Sequence, residues 1–244
     1  MKRLLKVTRI IPLAGICRFL AAIFSDGIPM NRTTFLSALL LCSTAGASAT
    51  SIPIQNSGFE TVALANPDDY SANNIPGWVT SINSATFRPT SAEYPGGIPQ
   101  GLNVAAVSNG DFIFQTLTDT LTADTTYNLF VDVGNRPGFF HGYSVILSAG
   151  SDVLATESSL SPASGSFLTS TLSYYAAAGN ADLGQALTIT LSDSGIIGQV
   201  NFDNVRLDAV QGPEPATFAL FGTALTGLLL LRRNRRVRLP VSPV

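Results

Sequence analysis

The sequence predicts an all-β domain, a two-sheet jelly-roll sandwich, over residues 50–212. Short runs of alternating apolar and polar residues recur along this segment, and in a strand such alternation sends successive side chains to opposite faces. Glycine, asparagine, aspartate and proline separate the runs, as they do in turns. No stretch of convincing length has the period of an amphipathic helix. About nine short strands in one domain are typical of a sandwich.

The clearest strand covers residues 126–133, where Tyr127, Leu129, Val131 and Val133 point to one face. Other predicted strands cover residues 102–107, 112–117, 143–148, 153–156, 167–175, 186–191 and 199–207. Gln115 lies among apolar neighbours, so it is either a buried polar residue or a groove residue. Residues 66–101 hold five prolines and form a loop-rich stretch. Irregular loops usually carry the binding function of such a sandwich.

Residues 30–49 have the pattern of a secretory signal peptide. Arg32 is the basic start, residues 35–42 are apolar, and Ala47-Ser48-Ala49 is a small-residue cleavage site. We therefore expect signal cleavage at Ala47 and Ala49, with Thr50 as the first mature residue. Residues 1–29 are basic and then apolar. Either they precede the true start at Met30, which we favour, or the leader is unusually long.

Residues 213–238 combine three features in a fixed order. Pro213-Glu214-Pro215 is followed by an apolar run over residues 216–231 and by five arginines within residues 232–238, before a short tail over residues 239–244. The apolar run would span roughly 24 Å as a helix, slightly less than a hydrocarbon core of about 30 Å. We expect a single transmembrane helix with the arginines on the cytoplasmic side.

This order resembles the PEP-CTERM sorting signal of Gram-negative bacteria, with Pro213, Glu214 and Pro215 as the sorting motif. The resemblance implies that an exosortase in the inner membrane recognises the motif and removes the tail. The chain would then be an inner membrane-anchored precursor and afterwards a protein of the cell surface or extracellular matrix. Such proteins often accompany an exopolysaccharide system.

The charge of the predicted mature domain differs from that of the whole chain. Residues 50–212 hold fourteen acidic and three basic residues, a net charge near −11, whereas the whole chain has a net charge of −2. Such a domain repels nucleic acid phosphates, which excludes nucleic acid as a partner. Both cysteines, Cys17 and Cys42, precede residue 50. The mature domain therefore has no disulfide, and its stability depends on its core and on any metal it holds.

Motifs at both ends of the domain carry a second resemblance. Residues 56–60 read Asn-Ser-Gly-Phe-Glu, residues 75–78 read Ile-Pro-Gly-Trp, and residues 202–207 read Phe-Asp-Asn-Val-Arg-Leu. They resemble the galactose-binding-like jelly roll of many carbohydrate-binding modules. The resemblance implies a structural calcium ion between Glu60 and Asp203, and calcium favours such oxygen ligands. Alternatively, the two carboxylates cap turns or accept backbone N–H groups.

Aromatic residues are the candidates for ligand binding. Trp78 could form a platform on which a sugar ring stacks, together with Phe87, Tyr94, Phe139, Phe140 and Tyr143. The alternative for Trp78, the sole tryptophan, is a place in the sandwich core. Phe139 and Phe140 follow a turn, so we expect them to be more exposed.

Catalytic chemistry has little support in this composition. His141 is the sole histidine, residues 50–212 lack cysteine and lysine, and no Gly-x-Ser-x-Gly motif is present. We therefore expect an exported, non-catalytic protein that binds or accompanies extracellular polysaccharide. The alternative is a structural or adhesive matrix protein without a specific sugar site.

Overall fold

The computed structural model describes residues 49–212, which form twelve strands. In chain order they are β1 Ala49–Ile52, β2 Tyr70–Ala72, β3 Val79–Thr80, β4 Ser84–Phe87, β5 Val104–Ser108, β6 Phe112–Thr120, β7 Thr125–Gly134, β8 Tyr143–Ala149, β9 Asp152–Glu157, β10 Phe167–Ala176, β11 Ala186–Asp193 and β12 Gln199–Gln211. Among these residues no helix is long and apolar enough to cross a membrane. The predicted signal peptide and transmembrane helix lie outside the described residues.

The strands form two antiparallel sheets, which confirms the predicted all-β sandwich. One sheet has seven strands in the order β10-β7-β12-β5-β4-β2, with β1 also paired to β12. The other has five strands in the order β3-β6-β11-β8-β9. Strand β12 has a bulge between Asp203 and Arg206. There Asn204 adopts a φ of 50°, and the N–H of Val205 leaves the ladder to donate to the carbonyl of Ser57 at 2.9 Å.

The main core lies between the two sheets. Alternation puts Leu129, Val131 and Val133 of β7 on the inner face, where each is fully buried. Ile189 and Leu191 of β11 are fully buried residues of the five-stranded sheet in the same core cluster. Each such side chain contributes about 1.5–3 kcal/mol by leaving water.

A second, smaller cluster lies on the opposite face of the seven-stranded sheet. It consists of Phe87, Val104 and Ala106, with Ile98 and Phe167 packed against it. The proline-rich segment over residues 88–103 supplies Ile98 and so covers part of this outer face. The remaining part stays open, and the candidate site lies there.

The long strands lie close to their predicted bounds, because each alternates in polarity over most of its length. Four short strands, β1 to β4, were not predicted. Strand β3 has two residues and β2 has three, which is too short for alternation to be visible. Two of these unpredicted strands, β4 and β2, extend the seven-stranded sheet within the stretch that the sequence predicts to be loop-rich.

Candidate functional site

An open groove crosses the outer face of the seven-stranded sheet and has a volume of about 390 Å³. Its floor is a row of three alanines on adjacent strands, in which Ala72 pairs with Ala85 and Ala85 pairs with Ala106. Tyr70, Ile82, Asn83, Phe87 and Asn109 are among the residues along the sides. We call this feature the alanine-floored groove. Methyl groups below and aromatic rings at the sides suit a flat, apolar ligand.

One end of the alanine-floored groove is polar and is formed by Asp68, Arg136 and Gln199. Asp68 has a φ of 70°, a left-handed conformation that aspartate tolerates better than most residues. Its backbone N–H donates to the carbonyl of Arg88 at 2.7 Å. This bond fixes the loop that carries Asp68, whose side chain remains 69% exposed.

Two hydrogen bonds and two aromatic rings hold the guanidinium group of Arg136 in place. Its Nε donates to Glu93 at 2.6 Å and its Nη1 donates to Gln199 at 2.9 Å. The guanidinium carbon lies 4.6 Å from the ring centre of Phe87 and 4.8 Å from that of Phe139. Burial acts to raise the pKa of Glu93, but the Thr90 N–H and the nearby Arg136 hold that pKa below its usual value. Glu93 is therefore ionised at neutral pH.

A buried hydrogen-bond chain supports this end of the groove from below. Gln199 donates to Asn201 at 2.8 Å, and Asn201 donates to the hydroxyl of Tyr94 at 3.0 Å. Tyr94 is 1% exposed, and burial raises its pKa, so its hydroxyl stays protonated. Gly134 lies beneath this hydroxyl, where an added Cβ would come within 2.9 Å of it. The same Cβ would come within 2.5 Å of the Phe167 ring, so a larger residue at Gly134 would displace Phe167 as well as Tyr94.

A second polar site on this face centres on Asp203, which is fully buried. Its two oxygens accept the backbone N–H groups of Gln100 and Asn204, both at 2.7 Å. Burial raises the pKa of Asp203 to about 7. Those two N–H groups lower it, whereas the charges of Asp132 and Glu60 raise it. Without a bound cation, the carboxyl group is about half protonated near neutral pH.

Glu60 binds the same loop as Asp203. Its Oε1 accepts the N–H groups of Leu102 at 2.9 Å and Asn103 at 2.7 Å. Gly101, with a φ of +63°, lies so close to the Glu60 carboxylate that an added Cβ would collide with it. Glu60 and Asp203 therefore both accept backbone N–H groups from the loop over residues 100–103, as the second of the two sequence interpretations predicts.

The oxygens around this loop fit a calcium ion in part. Asn103 is 3% exposed, and its side-chain oxygen has no hydrogen-bond partner among the described residues. Calcium binds amide and backbone carbonyl oxygens as well as carboxylates, so this unpartnered oxygen is of a type that the ion accepts. Within residues 49–212 no three acidic, histidine or cysteine side chains converge on one point. A site here would rest on two carboxylates and uncharged oxygens.

The predicted aromatic platform does not form. Trp78 is 7% exposed, packs on Phe59 at a ring separation of 5.5 Å and donates to the carbonyl of Gln55 at 3.1 Å. Tyr143 is fully buried and donates to Glu157 at 2.9 Å. These two residues belong to the sandwich core, since alternation and the Pro-Gly turn direct them inward, and they cannot contact a surface ligand.

The two phenylalanines after the turn have different positions. Phe140 is partly buried against the core and lies 6.5 Å from the ring of Tyr143. Phe139 is 47% exposed and lies on the Arg136 guanidinium beside the alanine-floored groove. Of the six residues of the predicted platform, Phe87 is among those that line the groove and Phe139 lies next to it, against Arg136.

Several residues of the groove were not singled out by the sequence. Ala72 and Ala85 lie on strands too short to be predicted, so their common face was not visible. Arg136 was noted only for its charge and its turn. A signal existed in the composition, because Arg88, Arg136 and Arg206 are the three basic residues among fourteen acidic ones over residues 50–212. A rare charge of this kind is a candidate for a specific role.

Two family models match the chain. The HpiC1-like model, described as HpiC1 cyclase, matches residues 50–208. The model of the PEP-CTERM protein-sorting motif matches residues 213–236, which confirms the sorting motif at Pro213, Glu214 and Pro215. The first match begins at the predicted mature residue Thr50. Ala49 itself pairs with Val210 in β1, and Ala47 lies outside the described residues. Among curated proteins none matches the chain.

Solved cyclases from Fischerella are similar over most of the chain. The Stig cyclase Fisc from Fischerella sp. TAU, in complex with (3Z)-3-(1-methyl-2-pyrrolidinylidene)-3H-indole, is 33% identical, with a TM-score of 0.62 over 68% of this chain and 100% of that chain. An apo cyclase from Fischerella sp. is 32% identical, with a TM-score of 0.62 over 68% and 99%. A cyclase from Fischerella sp. TAU with 4-(1H-indol-3-yl)butan-2-one is 33% identical, with a TM-score of 0.59 over 68% and 100%.

These matches correct the expectation of a non-catalytic protein. That expectation came from the absence of a nucleophile–base pair and of a histidine metal site. Cyclisation joins two atoms of one substrate, so it requires a shaped site and proton transfer rather than a protein nucleophile. The composition of residues 50–212 therefore says little about it. The chain is an exported protein with a PEP-CTERM sorting motif, and its β-sandwich belongs to the HpiC1 cyclase-like family.

Proposed function

We propose that the β-sandwich is a cyclase for an aromatic small molecule that binds in the alanine-floored groove. The observation that carries the proposal is the family match over the whole sandwich, together with a groove whose shape suits a flat ring. Two of the solved cyclase structures contain indole compounds, as their descriptions state. A floor of methyl groups leaves room for a bicyclic ring, and burying that ring there would supply much of the binding energy.

The polar end of the groove would supply the proton chemistry. In such a ring closure an alkene of the substrate gains one proton from solvent, the resulting cationic carbon bonds to an aromatic carbon, and that aromatic carbon releases its own proton, so that substrate and product are isomers. Asp68 lines the groove as an exposed carboxylate, so it can accept that proton and pass it to water. Tyr70, which lines the groove and is 69% exposed, would hold the substrate in a folded conformation, which lowers the entropic part of the barrier.

Replacing an alanine of the floor with a bulky residue tests whether the ligand binds in the groove. Ala85 is the central, half-buried alanine, so Ala85→Trp is expected to weaken the binding of 4-(1H-indol-3-yl)butan-2-one at least tenfold in isothermal titration calorimetry. Ala178→Trp, on an exposed turn after β10, is the control and should leave affinity and melting temperature unchanged. Equal affinity in the two variants would contradict the groove assignment. Binding of a galacto-oligosaccharide instead would support the predicted association with polysaccharide.

We further propose that a calcium ion stabilises the loop over residues 100–103. Glu60 and Asp203 would hold it, with the amide oxygen of Asn103 as an uncharged ligand. The ion would play a structural part, because it would fasten the first and last segments of the domain to one loop and offset the repulsion between the two carboxylates. The unpartnered Asn103 oxygen and the raised pKa of Asp203 support this proposal.

The sorting motif leads to a proposal on the fate of the exported chain. An exosortase would cleave near Pro213-Glu214-Pro215 and release the acidic sandwich to the cell surface. Mass spectrometry of surface fractions is expected to find a form that lacks Arg232 to Val244. Substituting Glu214→Ala should make the full-length chain accumulate in the membrane fraction. A surface form that retains residues 232–244 would contradict the proposal.

A further inference from the structure

We infer that Arg136 determines which ligand the alanine-floored groove accepts, and that it selects an uncharged aromatic compound with a carbonyl oxygen. The inference rests on the proposed function and specifies the substrate class of the same groove. It depends on three features of Arg136, namely how it is held, which donor remains free and what charges surround it.

The guanidinium has almost no freedom to move. Hydrogen bonds to Glu93 and Gln199 fix two of its nitrogens, and the rings of Phe87 and Phe139 fix its plane. Its side chain is only 19% exposed. A donor group held in this way loses little conformational entropy when a ligand binds, so each hydrogen bond that it makes contributes more to affinity.

The third nitrogen, Nη2, remains available at the groove. Among the described residues it makes no hydrogen bond, and its charged neighbour Asp68 lies 3.7 Å from it, too far for one. Asp68 and Arg136 both line the groove. A ligand lying on the alanine floor can therefore place an acceptor oxygen against Nη2 without displacing an existing bond.

The surrounding charges favour a neutral acceptor over an anion. Glu93 already neutralises Arg136, with a separation of 2.6 Å between Oε1 and Nε. Asp68 then leaves this end of the groove with a net negative charge, and residues 50–212 as a whole have a net charge near −11. A carboxylate would be repelled at this position, whereas a ketone or amide oxygen accepts the hydrogen bond without that repulsion.

Three ligands of similar shape test the inference on the full chain by calorimetry. 4-(1H-Indol-3-yl)butan-2-one has the carbonyl oxygen, 3-butylindole lacks it, and 3-(1H-indol-3-yl)propanoate replaces the terminal methyl group with a negatively charged oxygen. We expect the ketone to bind about tenfold or more tightly than 3-butylindole, as for a hydrogen bond to a charged donor. We also expect the propanoate to bind more weakly than the ketone.

Arg136→Met keeps an apolar stem between the two rings and removes the donor. It is expected to abolish the difference between the ketone and 3-butylindole. Arg206→Met is the matched control, because Arg206 also lies on a phenylalanine ring, that of Phe130 at 5.4 Å, but does not line the groove. The control should preserve the difference.

The affinities of the wild-type chain for the three ligands test the role of Arg136 even if Arg136→Met fails to fold. Equal affinity for the ketone and 3-butylindole would overturn the role of Arg136 and leave the groove assignment intact. Tighter binding of the propanoate would overturn the preference for a neutral oxygen. No binding of any of the three compounds would overturn the proposed function and this inference together.

Discussion

In calcium-free buffer, the free energy of unfolding of the wild-type chain is expected to fall, relative to Asp203→Asn, as the pH rises from about 4 to about 7. The native pKa of Asp203 is raised from 3.8 to about 7. The folded state therefore binds this proton more tightly than the unfolded state. Below about pH 4 the carboxyl group is protonated in both states. Above about pH 4 the unfolded state ionises first, and the folded state loses stability because ionising the buried carboxyl group costs free energy. Its full size is on the order of 4 kcal/mol.

Calcium should reverse this dependence. A cation beside Asp203 stabilises the ionised form, so millimolar calcium is expected to raise the wild-type melting temperature most at pH 8 and least at pH 4. A concentration one hundred times the dissociation constant would contribute about 2.7 kcal/mol. Asp203→Asn and Glu60→Gln should each lose most of this response.

The variant comparison isolates Asp203 from the other acids. Glu93 and Glu157 have lowered pKa values and lose stabilisation as the pH falls, but they do so equally in both chains. Parallel pH profiles for wild type and Asp203→Asn in calcium-free buffer would show that Asp203 ionises freely. An unchanged melting temperature on adding calcium or a chelator would contradict the calcium proposal alone.

Replacing Gln115 with leucine is expected to destabilise the fold by about 3 kcal/mol or more. The side chain is 6% exposed and makes three hydrogen bonds to the main chain. It accepts from the Gln55 N–H at 2.9 Å and donates to the carbonyls of Gln55 at 2.9 Å and Gly77 at 2.8 Å. Leucine fills a similar volume but leaves these partly buried groups without their partner, and each such group costs about 1–3 kcal/mol.

Urea unfolding followed by Trp78 fluorescence measures this loss, because the sole tryptophan is buried and donates to the same Gln55 carbonyl. Gln185→Leu is the control, since Gln185 is exposed on the turn before β11, and it should change stability by less than about 0.5 kcal/mol. A loss of under 1 kcal/mol for Gln115→Leu would mean that water replaces the amide.

The interior of the sandwich was accessible from the sequence because alternation is a local property. Tyr127, Leu129, Val131 and Val133 were assigned to one face, and all four are buried. The same alternation directs Asp132 to the opposite face. Asp132 does lie there, but it is 6% exposed and accepts hydrogen bonds from Thr169 and Asn204. Alternation gives the side of the sheet and does not reveal what covers that side.

The groove could not be predicted from the sequence, because alternation describes single strands and not how neighbouring strands align. Its alanine floor exists only because β2, β4 and β5 align in one register, and its polar end joins Asp68 to Gln199 across most of the domain. Gln115 was left between two interpretations, and only its contacts with Gln55 and Gly77 resolve them. The family resemblance of the domain ends identified a shared scaffold motif, whereas the proposed activity would depend on residues between those ends.

The position of β12 also determines when the domain can finish folding. This strand lies between β7 and β5 and pairs with β1, so the two halves of the seven-stranded sheet meet only through it within residues 49–212. It is also the last strand to be synthesised and exported, and it ends at Gln211, one residue before Gly212 and the sorting motif.

A chain that crosses the membrane from its N-terminus would complete this sheet only after residues 199–211 had followed. Pairing β1 with β12 joins residues from opposite ends of the domain, and contacts of such sequence separation form slowly. The sorting motif, which begins at Pro213, would therefore emerge before the last strand had finished pairing, and the sandwich would close after it.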